Sequence, residues 1–219
     1  MQDNAYTLKQ TATYPVAAAS KVLRNTYALL AMTILFSAVV AAVAMATGVP
    51  YMGLWMLLPY FGLLYAVEKT KNSAAGLFWV FALTGWLGLT LGPILSHYIG
   101  VSGFEPVLTA LGGTALIFFV LSGFILITRK DLSFMTGFLM TGILVAFIAA
   151  IANVFLQISA LSLVVSAMFM FLSSGLIMWQ TSQIIHGGER NYISATVTLY
   201  VMLYNIFSIL LSVLGGSNE

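Results

Sequence analysis

The sequence predicts an all-α integral membrane protein, a bundle of seven transmembrane helices, and three observations lead there. Of 219 residues, 61% are apolar and only 6% charged, whereas a soluble domain has about a quarter charged; mean hydropathy is +1.03. Seven apolar stretches can be drawn, at about 25–46, 52–67, 75–95, 106–128, 132–152, 161–185 and 192–214, and a bilayer-spanning helix needs roughly 20 such residues. The connections alternate between carrying Lys or Arg and carrying none. Lys9, Lys21 and Arg24 precede the first stretch, Lys69 and Lys71 follow the second, Arg129 and Lys130 follow the fourth, and Arg190 follows the sixth. Cationic loops stay on the cytoplasmic side, so these anchors predict a cytoplasmic amino terminus and, after seven crossings, a carboxyl terminus outside.

Residues 1–20 are polar and read as a flexible cytoplasmic tail, leaving 21–219 as one membrane domain with no room for a soluble one. The first stretch ends near Ala42-Val43-Ala44, which resembles a signal cleavage site. Its apolar length of roughly 20 residues exceeds a signal core, so it is expected to be retained. The second is the shortest, and Pro59 within it is expected to kink the helix. In the third, Gly85, Gly88 and Gly92 fall on one face before Pro93. They fit either ordinary tight packing or a seam that moves. Pro106 suits the first turn of the fourth. Asn153 and Gln157, one turn apart, are placed to cap the end of the fifth and bond toward the sixth. Gly187-Gly188 breaks the chain before the seventh. Short loops predict that consecutive helices are neighbours.

The chemistry available inside the membrane is narrow. No Asp, Glu, Lys, Arg or His falls in the middle of any stretch, which argues against a proton-driven pump or an intramembrane aspartyl protease. With no cysteine there is no thiolate metal site or thiol nucleophile. His97 and His186 fall at opposite ends of the topology, so they cannot share a metal, and Ser173-Ser174-Gly175 has no histidine at its depth. No nucleophile–base pair is in view; no catalytic residue, metal or cofactor is expected. The basic residues sit at helix ends and give no reason to expect nucleic acid binding.

Neutral polar residues do line up. At about 100° per residue, Ser162, Ser166, Ser173 and Gln180 of the sixth stretch fall within roughly 40° of one another. Ser194, Thr198, Asn205, Ser208 and Ser212 of the seventh fall within roughly 80°. Groups of this kind need partners away from lipid, so both rows are expected to face the bundle interior. Either they are interhelical hydrogen-bond glue or they line a narrow polar pathway.

The stretch Phe81 to Ile94 (FALTGWLGLTLGPI) resembles the glycine-rich helix of the Bax inhibitor-1 family. So do Ala110 to Leu116 (ALGGTAL), Thr128 to Ser133 (TRKDLS) and Asn153 to Gln157 (NVFLQ). Lys21 to Tyr27 (KVLRNTY), Ile184 to Glu189 (IIHGGE) and Leu203 to Phe207 (LYNIF) look like the bacterial members, and the resemblance covers about residues 21–214. It implies a seven-helix bundle in the bacterial inner membrane and a non-enzymatic role. The protein would bind and limit the membrane-anchored AAA protease FtsH, with that protease's membrane-anchored cofactors as further partners the resemblance implies. The resemblance also offers an alternative, a calcium or proton leak gated by two aspartates on the last two helices. Those positions align with Gln180 and Met202 here. An amide and a thioether cannot share a proton as paired carboxylates do, so the acid sensor does not carry over.

Overall fold

The computed structural model describes residues 16–216, with side chains from 17 onward. These residues form seven α-helices: α1 (Val16–Ala46), α2 (Leu57–Thr70), α3 (Ala74–Ser102), α4 (Glu105–Thr128), α5 (Thr136–Leu156), α6 (Ser159–His186) and α7 (Tyr192–Gly216). Short 3-10 turns, Gly53–Met56 and Ser133–Met135, lead into α2 and α5. The described fold is all-helical, as expected. The predicted tail lies mostly outside the described residues; its last part, from Val16, is already helical.

Six of the seven helices are long and apolar enough to cross a bilayer; α2 is not one of them. With 14 residues it spans only about 21 Å at 1.5 Å per residue. Its Met56 carbonyl accepts a hydrogen bond from the indole N–H of Trp86, near the middle of α3 (3.1 Å). α2 therefore starts part-way along α3 instead of level with its end. Pro59 does not kink it. The proline is the third residue of the helix, in the first turn, where backbone N–H groups have no intrahelical partner to lose. Pro93 is inside α3, which continues past the expected end near residue 95 to Ser102; membrane helices tolerate an internal proline when neighbours compensate.

Nearest-neighbour order also departs from expectation. α1 packs against α3 rather than α2, and α4 packs against α7 and α6 rather than α5. The cause of the first is a seam of small residues. Ser37, Ala41 and Ala44 of α1 are buried. A β-carbon added at Gly88 would collide with the Ser37 carbonyl, and one at Gly92 with Ala44. One at Gly85 would lie 2.9 Å from the Phe36 ring. Those three glycines are thus packing surfaces. α5 likewise meets α6 at Gly142, where an added β-carbon would lie 2.6 Å from the Leu172 side chain. α7 is the central element, in contact with α1, α2, α3, α4 and α6, and its Leu199, Ile206 and Leu211 are fully buried.

Candidate functional site

Two regions concentrate polar groups: the interior around α7, and the end where the basic loops meet. In the interior, the buried polar side chains among the described residues are Thr26, Thr33, Ser37, Thr84, Thr90, Thr114, Ser122, Ser173, Gln180, Thr181, Ser182 and Thr196, all uncharged. Of the predicted α6 row only Ser173 and Gln180 are buried; Ser166 is half-buried and Ser162 exposed. In α7, Ser194, Thr198, Asn205 and Ser208 are half-buried and Ser212 is exposed. Helical spacing gives a face, yet the outer turns of α6 and the last turns of α7 are too thinly covered for that face to be interior throughout. No hydrogen bond joins the two rows among the described residues. The Ser173 hydroxyl, the Gln180 amide nitrogen and the Ser208 hydroxyl are buried without a partner. Met202, the other family sensor position, is buried in the apolar core.

The hydrogen-bonded seam runs along a different row of α7. Thr196, Tyr200 and Tyr204 recur every fourth residue and face α1 and α3. The Thr196 hydroxyl donates to the Thr26 carbonyl (3.2 Å) as well as to Tyr192 (2.7 Å). The Tyr200 hydroxyl donates to the Thr84 carbonyl (3.4 Å), and the Tyr204 and Thr90 hydroxyls are 3.1 Å apart. Sequence reasoning missed these residues. Thr26, Thr33 and Ser37 are separated by 7 and 4 residues, so the angular test applied to the last two helices would have marked α1 as well. The tyrosines left no such mark, because their rings read as apolar.

At the other region, hydrogen bonds draw the basic loops together. Asn191 donates to the Lys71 carbonyl (2.9 Å) and to Asn72 (2.9 Å), tying the turn before α7 to the turn after α2. Its side-chain oxygen accepts from the N–H groups of Ile193 and Ser194, capping α7. The Ser182 hydroxyl donates to the Lys130 carbonyl and accepts from Leu132 N–H, so α6 holds the α4–α5 turn. Gln183 reinforces it through Ser133 (3.0 Å). Arg129 ends α4 in the left-handed conformation, φ 49°. Within that turn the hydroxyl and N–H of Ser133 hold the Asp131 carboxyl below its usual range, and the charge of His186 acts in the same direction. Lys71 pairs with Glu68. At the far end of α5, Gln157 takes the left-handed cap position and Asn153 accepts from Ile158 N–H (3.1 Å), the capping expected of that pair.

The described residues thus form a polytopic helical bundle whose buried polar side chains are uncharged and whose cations gather at one end. The sequence pattern described as "Inhibitor of apoptosis-promoting Bax1" matches residues 19–219, and the chain belongs to this Bax inhibitor-1 family. It is similar to the modulator of FtsH protease YccA of Escherichia coli strain K12, 52% identical over 200 residues that cover 91% of each chain. The corresponding protein of E. coli O6:H1, named inner membrane protein YccA, matches to the same extent. An uncharacterized protein of Pseudomonas aeruginosa is 48% identical over 98% of this chain and 97% of its own. Together with the six long apolar helices, these make the chain a multi-pass inner-membrane protein.

Proposed function

We propose that this protein binds an FtsH-type membrane-anchored AAA protease and limits its action, without chemistry of its own. The observation that carries the reading is the 52% identity, across 91% of both chains, with a protein named as a modulator of that protease. The basic end supports it, since α2, α4 and α6 present their turns there as one hydrogen-bonded surface. In this reading the amino terminus is inside and the carboxyl terminus outside, with α2 and its leading 3-10 turn as the seventh crossing. Those two pieces, 14 and 4 residues, add to about 29 Å, close to the hydrocarbon thickness of about 30 Å.

Residues 1–20 are the handle by which the protease engages the protein. The part that precedes α1, residues 1–15, reaches at most ~50 Å when extended. Affinity purification from gently solubilised membranes should recover an AAA protease, and loss of this protein should speed degradation of that protease's membrane substrates. Absence of both effects would remove the reading. Deleting residues 1–15, which leaves α1 whole, should lengthen the protein's half-life in protease-positive cells; an unchanged half-life would remove the tail's part in it.

A further inference from the structure

At the basic end, α1, α4 and α6 leave a crevice of about 110 Å³ lined by Ala19, Ser20, Leu23, Leu126, Arg129 and Ile185. That is room for roughly three or four waters at about 30 Å³ each, enough for a phosphate-sized group but not a whole lipid. Four of the six linings are apolar, and Phe119, two turns before Leu126 on the same side of α4, is exposed at 70%. The crevice thus opens along a hydrocarbon-compatible flank.

Its polar rim is cationic. Arg129 is exposed, and its backbone N–H is held by the Ile125 carbonyl (2.8 Å) at the end of α4. Its guanidinium has no carboxylate partner among the described residues. The acid nearest in sequence, Asp131, is already engaged by the N–H and hydroxyl of Ser133 (2.9 and 2.6 Å). Arg24 follows Ser20 by one turn of α1, on the same side of the helix. Among the described residues this end carries seven Lys and Arg against Glu68, Asp131 and Glu189, while Glu105 is the Asp, Glu, Lys or Arg of the opposite end.

We propose that this crevice binds the phosphate of an anionic phospholipid. The fork of the Arg129 guanidinium takes two phosphate oxygens, a geometry an ammonium cannot match, and Arg24 adds charge. The acyl chains run down the exposed face of α4. Basic pockets between helices on the cytoplasmic side have the right chemistry for such headgroups, and the apolar wall selects a lipid over free phosphate.

Native mass spectrometry of the full chain in mild detergent tests this with phosphatidylglycerol and phosphatidylcholine as probes. The expected result is one retained phosphatidylglycerol, at least fivefold preferred over phosphatidylcholine. Arg129→Gln should reduce the preference to twofold or less. Arg129→Lys should keep part of it, and Lys69→Gln, which does not line the crevice, should keep all of it. Equal losses in Arg129→Gln and Lys69→Gln would reduce the effect to bulk charge and overturn the proposal. So would displacement of the lipid by equimolar inorganic phosphate, a comparison that needs only the unmodified protein should a variant fail to fold.

Discussion

Gly88 lies so close to Ser37 that one additional methyl group has nowhere to go, which makes it the most sensitive glycine of the α1–α3 seam. Gly88→Ala should cost about 1–3 kcal/mol through overpacking, read as a lowered unfolding midpoint in detergent. Gly112→Ala is the matched control, because its β-carbon meets nothing within 4 Å; it should be neutral or stabilising by up to ~1 kcal/mol. Asp131 has a folded-state value below its unfolded one, so its contribution to the α4–α5 turn is complete above the ordinary carboxylate range, about pH 4. That contribution is lost as pH falls through the lowered folded-state value. Amide exchange at residues 132–136 should therefore quicken, relative to its intrinsic rate, only at strongly acidic pH, and Asp131→Ala should abolish that dependence. The sequence made Gly88 and Gly92 visible as a common face. Nothing in it indicated which helix they meet, because the partner is set by matching small residues some fifty positions earlier.

At the scale of single elements, α7 owes its start to Asn191, which both caps the helix and reaches across to the turn after α2. Asn191→Ala should lose about 1 kcal/mol for the cap alone, plus the cross-loop ties, and calorimetry or thermal unfolding in detergent would measure it. The Tyr204–Thr90 contact invites a double-mutant cycle with Tyr204→Phe and Thr90→Val. Interhelical hydrogen bonds in membranes average about 0.6 kcal/mol, so a coupling near that value is expected in unfolding free energy. Element limits were legible where capping chemistry marks them, as at Gly187 and at Asn153–Gln157. They were not legible at α2, where apolar length continues past the point at which Gly53 and the 3-10 turn reset the backbone. Nor were they at α5, whose start is delayed by the Asp131–Ser133 turn.

For the whole molecule, the gathering of the basic turns at one end was readable from charge alternation, because charge placement is a one-dimensional signal. Two helix pairs, α1–α3 and α4–α7, were not readable, since short loops made α1–α2 and α4–α5 look adjacent. The same limit governed the interior. Gln180 and Ser173 of the α6 row are buried, yet the row of α7 that makes hydrogen bonds is Thr196–Tyr200–Tyr204, and that choice follows from α7 being surrounded on nearly all sides. A reporter fused after Glu219 should register outside the cytoplasm if α2 completes its crossing. A cytoplasmic signal would mean six crossings.

The glycine-lined junction of α1 with α3 is the most extensive helix–helix contact among the described residues, and α1 also touches α6 and α7. Mechanical load applied through the amino-terminal segment therefore reaches the most extensive junction first. Single-molecule pulling from that end should register its highest rupture force at the opening event. Gly88→Ala should lower that peak, leaving later peaks in place, because the added methyl group loosens the joint that opens first.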